Sequence, residues 1–235
     1  MTLAGRVALV TGASRGIGAA IASSLASACA TVWLVARSRE ALDQVAAALP
    51  RAIPFVADLA DASAVDTLAQ AVMRDHGTPD IVVLNAGAFD LGAVGALALG
   101  AVDRMIDLNV RAPYHLLHHV VPAMRARGTG HVVTVGSVAD HVAFPENGAY
   151  ALTKYGTRGL HEVVRAELRG TGVRATLVSP GPVDTTIWDP LHPEARPGFP
   201  TRDAMLRPAD VAEAVAWAVT RPAHVNVDEV RLGYR

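Results

Sequence analysis

Tyr150 and Lys154 could together carry proton-transfer chemistry, because residues four apart on a helix share a face with Cβ atoms about 5 to 6 Å apart. Lys154 is the only lysine among the 21 lysine and arginine residues of the chain. A compact ammonium beside a phenol favours the phenolate form, and a planar guanidinium is not equivalent to it at such a site. Tyr150 is therefore a candidate general acid and base. The alternative is a composition that favours arginine and left one lysine by chance.

Apolar runs that alternate with amphipathic stretches predict the scaffold that positions these residues. Strands are predicted at 7–10, 31–35, 53–57, 81–84, 131–135, 174–178 and 225–232, and helices at 16–28, 40–49, 63–75, 101–127, 149–169 and 208–220. This alternation indicates an α/β fold, a doubly wound parallel sheet with helices on both faces. The 235 residues contain no linker-like stretch, so one domain, 1–235, is expected. Ligands of such a sheet bind beyond the carboxyl ends of its strands.

The composition argues against several classes of partner. The formal net charge is -1 and no basic stripe stands out, so neither nucleic acid nor an anionic membrane surface is expected to bind. No apolar stretch is long enough to span a membrane. Cys29 is the only cysteine, so no intramolecular disulfide can form, and a cytoplasmic location is expected.

A glycine-rich loop stands between the first predicted strand and the first predicted helix. It reads Thr11-Gly12-Ala13-Ser14-Arg15-Gly16-Ile17-Gly18. Glycines there permit a tight turn and a close approach of the backbone to a pyrophosphate, and the N–H groups of the following helix attract the anion. A plain turn is the alternative, but the strand before and the helix after favour a dinucleotide site.

The end of the second strand bears on which dinucleotide binds. An NAD enzyme presents Asp or Glu there to the ribose 2′-hydroxyl, whereas this chain has Ala36, Arg37 and Ser38. Arg37, with Arg15 from the glycine-rich loop, suits a 2′-phosphate, so the expected cofactor is NADP(H) in preference to NAD(H). Either arginine alone could equally be a solvated surface residue.

A nicotinamide cofactor implies hydride transfer, which makes two demands on the site. A carbonyl carbon that receives a hydride leaves an alkoxide-like oxygen, and this oxygen needs a proton donor and a hydrogen-bond donor. Tyr150 and Ser137 are the candidates for these two roles. Ser137 also ends the fifth predicted strand, where a serine often only caps a turn.

Several motifs together resemble one family, the short-chain dehydrogenases/reductases. They are the glycine-rich loop, Asn85-Ala86-Gly87, Asn109, Ser137, Tyr150-x3-Lys154 and Pro180-Gly181, in the order and approximate spacing of that family. The resemblance covers nearly the whole chain and implies a Rossmann-like domain with a seven-stranded sheet, a nicotinamide cofactor, and reversible oxidation of an alcohol to a carbonyl. The chain departs from the family at Cys29, where a glycine usually ends the helix, and at Gly136 before the serine.

Carried over by position, the resemblance implies four catalytic residues, Asn109, Ser137, Tyr150 and Lys154. The expected cofactor contacts are Gly12, Ser14, Arg15, Gly16, Ile17, Gly18, Arg37, Asp58, Asn85, Ala86, Gly87, Tyr150, Lys154, Pro180, Gly181, Val183 and Thr185. In the family arrangement Asp58 contacts the adenine and Thr185 holds the nicotinamide amide. Lys154 also bonds the nicotinamide ribose, and Asn109 holds a water that links this lysine to solvent.

The expected substrate is a small alcohol or hydroxy compound and the corresponding ketone or aldehyde. Its pocket is expected to be lined by Asp140, His141, Phe144, Ile187 and Trp188. The last two lie in a Pro-rich stretch, 181–207, that is too long for an ordinary connection and is a candidate lid. The C-terminus lacks the paired glycines common in 3-oxoacyl carrier-protein reductases, so the chain looks more like the shorter NADP-dependent members that handle small hydroxy acids and other small carbonyls.

His115, His118 and His119 have a metal-like spacing on one predicted helix. No cysteine or carboxylate partner is expected to accompany them, so a helix face or a subunit contact is favoured over a zinc site, and no metal is expected. The resemblance implies that helices 101–127 and 149–169 form a subunit interface, so a homo-oligomer, either dimer or tetramer, is expected.

The sequence therefore predicts an NADP(H)-dependent oxidoreductase, with two alternatives. A non-catalytic dinucleotide-binding sensor or scaffold of the same fold would need the cofactor contacts, but it would not need Asn109, Ser137, Tyr150 and Lys154 together. An epimerase or dehydratase of the extended relatives would need a sizeable C-terminal substrate domain. Too few residues follow Gly181 for such a domain, which disfavours this alternative.

Overall fold

The fold is organised around one seven-stranded parallel sheet. A computed structural model describes residues 2–196 and 198–234. The strands are β1 Val7–Thr11, β2 Thr31–Ala36, β3 Ala52–Val56, β4 Ile81–Leu84, β5 Gly130–Val135, β6 Val173–Pro180 and β7 Glu229–Leu232. They lie in the order β3-β2-β1-β4-β5-β6-β7, and every neighbouring pair is parallel. The order reverses between β1 and β4, which confirms the expected doubly wound α/β sheet.

Helices cover both faces of the sheet, because successive side chains of a strand point to opposite sides. The helices are α1 Gly16–Ser27, α2 Arg39–Ala47, α3 Ala62–His76, α4 Leu99–Ile106, α5 Ala112–Arg127, α6 Gly148–Glu167 and α7 Pro208–Val219. In β1, Ala8 and Val10 pack with α1, α2 and α7, whereas Leu9 packs with α3, α5 and α6. None of the helices in the described ranges is both long and apolar enough to cross a membrane.

The helix predicted at 101–127 is interrupted. α4 passes through a π-helical turn, Asp107–Arg111, before α5 begins. The turn contains Asn109, whose backbone carbonyl accepts a 2.9 Å hydrogen bond from the Thr157 hydroxyl of α6. A π-turn inserts one extra residue into a helix and is frequent at functional sites, and the apolar periodicity of a sequence does not reveal it.

The last strand begins later than the predicted 225–232. Asn226 accounts for the difference, because its side chain accepts a hydrogen bond from the Ala175 N–H and donates one to the Ala175 carbonyl, both at 3.1 Å. This side chain therefore takes the positions beside β6 that a strand backbone would occupy. Regular pairing with β6 starts only at Glu229.

Cys29 has a left-handed backbone conformation, with φ at 74°, just after the end of α1. A residue with a side chain costs about 1 to 2 kcal/mol in this conformation, which is why glycine is usual there. The departure from glycine noted in the sequence is thus a point of local backbone strain.

Two histidines are buried in contact with β5, one on the strand and one on the helix that covers it. His131 of β5 lies 2.8 Å from the Thr176 hydroxyl, and His161 of α6 lies 2.9 Å from the Thr134 hydroxyl. Burial lowers the pKa of His131 to about 3, with a smaller effect of the Arg174 charge. Burial likewise lowers the pKa of His161 to about 4, assisted by the charges of Arg165 and Arg158. Both imidazoles are therefore neutral in the folded protein near neutral pH.

We expect these two histidines to make the fold sensitive to mild acid. Below about pH 6.5 the unfolded chain takes up a proton at each histidine, whereas the folded protein does not do so until about pH 3 to 4. Stability therefore falls as the pH drops through this window. His131→Gln removes one such site and should reduce the loss of unfolding free energy between about pH 7 and pH 5 by about 2 kcal/mol.

Urea unfolding at the two pH values measures this difference. His224→Gln, at an exposed histidine, is the matched control for the exchange itself. Equal pH dependence of the wild type and His131→Gln would contradict the assignment of a neutral buried imidazole.

Candidate active site

A cleft opens at the carboxyl edge of the sheet, where loops after β1, β2, β3, β4 and β6 converge. Its volume is about 840 Å³, within the range of ligand sites in proteins. Many of the predicted cofactor residues line it, namely Gly12, Ser14, Arg15, Gly16, Ile17, Gly18, Arg37, Asp58, Asn85, Ala86, Gly87 and Thr185. The tertiary structure thus gathers residues from five separate loops around one cavity.

The glycine-rich loop is packed too closely to carry side chains. A Cβ at Gly18 would lie 2.2 Å from the carbonyl oxygen of Gly12, and a Cβ at Gly12 would lie 2.9 Å from Cα of Ala86. Gly12 also has a left-handed φ of 67°. The glycines therefore allow β1, α1 and the loop after β4 to meet at van der Waals contact.

Thr11 and Asn85 hold this meeting point together. The Thr11 hydroxyl donates to the Val83 carbonyl at 3.1 Å and accepts from the backbone N–H groups of Asn85 and Ala86 at 2.9 and 3.1 Å. The Asn85 side chain returns a 2.9 Å bond to the Thr11 carbonyl. These bonds lie between β1 and β4, where the strand order reverses, and they fix the floor of the cleft.

The start of α1 is open to an anionic ligand, and two arginines line the same cleft. α1 begins after Arg15 without a side-chain cap and without an acidic residue in its first turn. Its N–H groups and positive dipole end are therefore available to a pyrophosphate. Arg15 and Arg37 are exposed on the rim and, within residues 2–196 and 198–234, form no ion pair. A third arginine, Arg104 of α4, also lines the cleft and was not predicted.

Asp58 and Thr185 both line this cleft. Asp58 follows β3, is exposed, and accepts a 3.0 Å hydrogen bond from the Ala60 N–H, so it supports a turn as well as lining the cavity. The methyl group of Thr185 would lie 3.2 Å from a Cβ at Gly16, so the loop after β6 meets the glycine-rich loop directly.

Besides Tyr150 and Lys154, three of the predicted cofactor residues, Pro180, Gly181 and Val183, also stand outside the cleft lining. Pro180 ends β6, and the Gly181 N–H donates a 2.8 Å bond to the Leu232 carbonyl of β7. Val183 is buried and forms an isolated parallel bridge with Leu206. These residues anchor the loop after β6 to the sheet.

Lys154 is buried at the end of β5, beside Tyr150. Its Nζ donates a 3.2 Å hydrogen bond to the Val135 carbonyl and lies 5.6 Å from the centroid of the Tyr150 ring. Both residues stand on α6, as the spacing of four predicts. Lys154 makes no ion pair with any residue in the described part of the chain, although only 7% of it is exposed. An ammonium so placed strongly favours an anion next to it.

Ser137 begins a short 3-10 turn, Val138–Asp140, two residues after the carbonyl that binds Lys154. Its Oγ accepts a 3.2 Å hydrogen bond from the Ala139 N–H. The turn-capping role considered from the sequence is therefore present. In this role Ser137 accepts a hydrogen bond and does not donate one. Its hydroxyl proton is therefore available to another acceptor, since no described residue accepts that proton.

Asn109 lies in the π-turn and joins two parts of the site. Its side-chain oxygen accepts from the Ala88 N–H at 2.7 Å, and its Nδ2 donates to the Ala88 carbonyl and to the Thr153 hydroxyl, both at 2.9 Å. Thr153 stands on α6 next to Lys154 and donates to the Tyr150 carbonyl. Asn109 is thus fully engaged in tying the loop after β4 to the helix of Tyr150 and Lys154.

An aromatic wall, Phe89 with Trp188 and Phe199 behind it, stands against Tyr150. The Phe89 ring lies edge-on to the Tyr150 ring at 4.6 Å and to the Trp188 ring at 5.1 Å, and Trp188 contacts Phe199 at 6.0 Å. Phe89 lines the cleft, and sequence reasoning missed it, although it follows Asn85-Ala86-Gly87 by two residues. Ile187 also lines the cleft, and its contact with a substrate stays a prediction.

Trp188 and Asp140 differ from their predicted places on the pocket wall. Trp188 is buried behind Phe89, and its indole N–H donates to the Val183 carbonyl at 3.0 Å. The side chain of Asp140 is completely buried and points to Ser137, Ser179, His141 and Arg158, because a carboxylate in the interior needs donors on both oxygens.

His141 and Phe144 follow the same 3-10 turn. His141 keeps a quarter of its side chain exposed while its Nδ1 lies 2.6 Å from Asp140. Phe144 is 45% exposed. Neither residue belongs to the cleft lining, so their contact with a substrate stays a prediction.

The described part of the segment 181–207 contains three short 3-10 turns and is held by ion pairs. Arg202 contacts Asp184 at 2.9 Å, Asp189 at 2.5 Å and Glu194 at 3.2 Å. Arg196 pairs with Glu146, before α6, at 3.0 Å. The segment is therefore held both to itself and to the loop that precedes the Tyr150 helix.

The expectation that the helical histidines lack a carboxylate partner is wrong. Asp66 of α3 lies 3.0 Å from His115 and 2.9 Å from His119, and these hydrogen bonds lower the pKa of Asp66. The sequence hid this partner because it belongs to another helix. His118 lies beside His119, with ring centroids 5.1 Å apart. Among the described residues no three His, Cys, Asp or Glu side chains are grouped to hold a metal ion.

Comparison with known proteins finds similarity along nearly the whole chain. Residues 6–196 match the family model for short chain dehydrogenase. An uncharacterized oxidoreductase of Staphylococcus epidermidis is 34% identical over 228 residues, which cover 97% of this chain and 96% of that protein.

Two solved structures are similar in fold. A metagenomic short-chain oxidoreductase in complex with NADP has a TM-score of 0.83 and 34% identity, over 99% of this chain and 98% of that one. The alcohol dehydrogenase of the archaeon Thermococcus sibiricus, complexed with 5-hydroxy-NADP, has a TM-score of 0.86 and 30% identity, over 97% of this chain and 95% of that one.

Proposed function

The chain belongs to the short-chain dehydrogenase family and is an oxidoreductase, and we propose that it interconverts a small alcohol and its ketone or aldehyde with NADP(H). The observation that carries this proposal is the buried Lys154 ammonium, which lies beside Tyr150 at the end of β5. Ser137 begins the turn that follows the same strand. A phenol, an ammonium and a hydroxyl are thus grouped at one edge of the sheet.

The mechanism assigns a separate task to each of these three side chains. The nicotinamide, when bound, supplies or accepts the hydride. In the reducing direction Tyr150 gives its phenolic proton to the developing alkoxide, and Ser137 donates a hydrogen bond to the same oxygen. Lys154 stabilises the phenolate that remains on Tyr150, because an opposite charge within about 4 to 6 Å favours the ionised form. In the oxidising direction the same phenolate takes the proton from the alcohol.

Asn109 supports this machinery by bonding to both Ala88 and Thr153. Thr153 in turn bonds to the carbonyl of Tyr150. These bonds fix the distance between the loop after β4 and the catalytic helix. A water held near Asn109 that relays protons to Lys154 remains a prediction from the family resemblance.

The substrate proposed here is a small, uncharged carbonyl compound or alcohol. Phe89 offers an apolar surface next to the Tyr150 ring, and Trp188 supports that surface with its own polar group already satisfied. Arg196 and Arg202 of the segment 181–207 are engaged by carboxylates, so they do not offer a free cation to an acidic substrate. We propose that this segment, 181–207, acts as the lid.

Turnover measured by NADPH absorbance tests the proposed function. Wild-type protein should oxidise NADPH with small ketones or aldehydes, and should reduce NADP with the matching alcohols. Tyr150→Phe should lose this activity and still bind NADPH. Bound NADPH with no turnover on any substrate of the panel would instead favour a sensor or scaffold.

Lys154→Arg should lower kcat by roughly 100-fold or more while the protein still folds. The guanidinium is wider than an ammonium and cannot occupy the same small space between the Val135 carbonyl and the Tyr150 ring. Steady-state kinetics and a thermal melt measure the two effects. Arg169→Lys, at an exposed arginine just after α6, is the matched control. Turnover of Lys154→Arg near the wild-type value would show that the single lysine is an accident of composition.

The proposed preference for NADP(H) depends on Arg15 and Arg37 at the rim of the cleft. Arg37→Asp should weaken NADPH binding by about 10- to 100-fold and leave NADH binding equal or stronger, because a charge-assisted bond to the 2′-phosphate is lost. Fluorescence titration gives both dissociation constants. Arg51→Asp, at an exposed arginine just before β3, is the control. A wild-type preference for NADH would overturn this assignment.

We also propose that the protein is a homo-oligomer. α6 exposes Leu152, Tyr155 and Val163, and α5 exposes Tyr114, an apolar surface that a second copy could cover. A monomeric mass by light scattering would exclude it. A cytoplasmic location remains a prediction from the sequence.

A further inference from the structure

Asp140 is a buried carboxylate at the edge of the active site for which the proposed mechanism has no use. It ends the 3-10 turn that Ser137 begins, and none of its side chain is exposed. Burial of a carboxylate is costly unless donors surround it. Because the burial of Asp140 costs free energy, its position next to Ser137 needs a physical explanation.

Both oxygens of Asp140 are engaged by groups around Ser137. Oδ2 accepts from the backbone N–H of Ser137 at 3.2 Å and from the Ser179 hydroxyl at 2.5 Å. Oδ1 lies 2.6 Å from Nδ1 of His141 and 3.4 Å from a guanidinium nitrogen of Arg158. The carboxylate therefore ties the backbone of Ser137 to β6 on one side and to α6 on the other.

Gly136 makes room for this carboxylate. A Cβ at position 136 would lie 2.4 Å from Oδ2 of Asp140 and 2.8 Å from Oγ of Ser179. The carboxylate of Asp140 can therefore occupy its position only because residue 136 has no side chain. We call Gly136, Asp140 and Ser179 the serine seat.

Arg158 balances the negative charge of the Asp140 carboxylate. Arg158 binds both carboxylate oxygens of Glu229 in β7, at 3.0 and 3.2 Å, and also contacts Glu162 at 2.9 Å. Its hydrogen bonds to Glu229 lower the pKa of that carboxyl to about 2, with help from Arg231. A line of alternating charges therefore runs from the turn of Ser137 to the last strand.

We propose that Asp140 is a positioning residue that fixes the direction of the Ser137 hydroxyl toward the reacting oxygen. This inference rests on the proposed function, in which Ser137 donates to that oxygen. Asp140 holds the Ser137 backbone, and the turn so formed presents the Ala139 N–H to the Ser137 Oγ. One lone pair of the Ser137 Oγ is then occupied by the Ala139 N–H, and the hydroxyl proton of Ser137 remains free to point at the substrate.

Asp140→Asn tests the proposal with nearly unchanged volume. The amide of asparagine accepts hydrogen bonds on one atom only, so some of the groups that donate to Asp140 lose their acceptor. The Ser137 hydroxyl is then misplaced, and kcat should fall about 10- to 100-fold. The dissociation constant of NADPH should stay within twofold of wild type. Asp61→Asn, at the exposed aspartate that caps α3, is the matched control and should leave kcat unchanged.

The decisive measurement repeats the exchange in a Ser137→Ala background. If Asp140 acts through Ser137, Asp140→Asn should there change the residual kcat by less than twofold. A residue with a merely structural role would lower kcat by the same factor in both backgrounds, which would overturn the proposal. Should Asp140→Asn fail to fold, Ser179→Ala removes one donor of the seat and enters the same cycle, with the same expected loss of effect.

A second cycle tests the shared space. Gly136→Ala alone should lower kcat, because its Cβ displaces the carboxylate, but the loss should be smaller in an Asp140→Ala background, where the contact with Ser179 Oγ remains. Equal losses in both backgrounds would contradict the seat. Two results would together remove only this inference and leave the proposed function standing. The wild type turns over and Tyr150→Phe does not, while Asp140→Asn is as active as the wild type. Absence of wild-type turnover would remove the proposed function and the inference with it.

Discussion

A single ammonium buried at the end of β5 is the interaction on which the rest of the site depends. Lys154 reaches the Val135 carbonyl and faces the ring of Tyr150, yet no carboxylate in the described chain neutralises it. A buried cation without a paired anion favours negative charge in the adjacent space, and the phenol of Tyr150 is the group that faces it. α6 sets the spacing of the two side chains, the parallel sheet sets the place of Val135, and Asn109 clamps the helix through Thr153.

The cofactor half of the cleft depends on close backbone contact and not on buried charge. Gly12 and Gly18 lack side chains where β1, α1 and the loop after β4 touch, and Thr11 and Asn85 satisfy the polar groups of that contact. The glycine-rich part of the site and the part that holds Lys154 and Tyr150 thus meet different physical requirements. One brings backbone N–H groups toward an anionic ligand, and the other buries a cation beside a partly exposed phenol.

Much of the fold could be predicted from sequence, because local patterns carry it. Seven apolar runs marked the seven strands, and the glycine-rich loop, Asn85-Ala86-Gly87 and the Tyr150 and Lys154 pair marked the carboxyl edge where the cleft lies. The prediction failed where a side chain replaced backbone pairing, as Asn226 does before β7. It also failed where a helix gained a residue, as at the π-turn of Asn109, since both events depend on partners distant in the chain.

The sequence by itself determined which chemical groups are present and their spacing along each element: a lone lysine four residues after a tyrosine, glycines after the first strand, and arginine in place of an acid after the second. Only the tertiary structure decided which groups meet. It buried Asp140 under Ser137, placed Trp188 behind Phe89 and brought Asp66 to His115 and His119. The physical reason is that periodicity reports which face of an element is apolar, whereas contacts between elements arise from packing and from the need of each buried polar group for a partner.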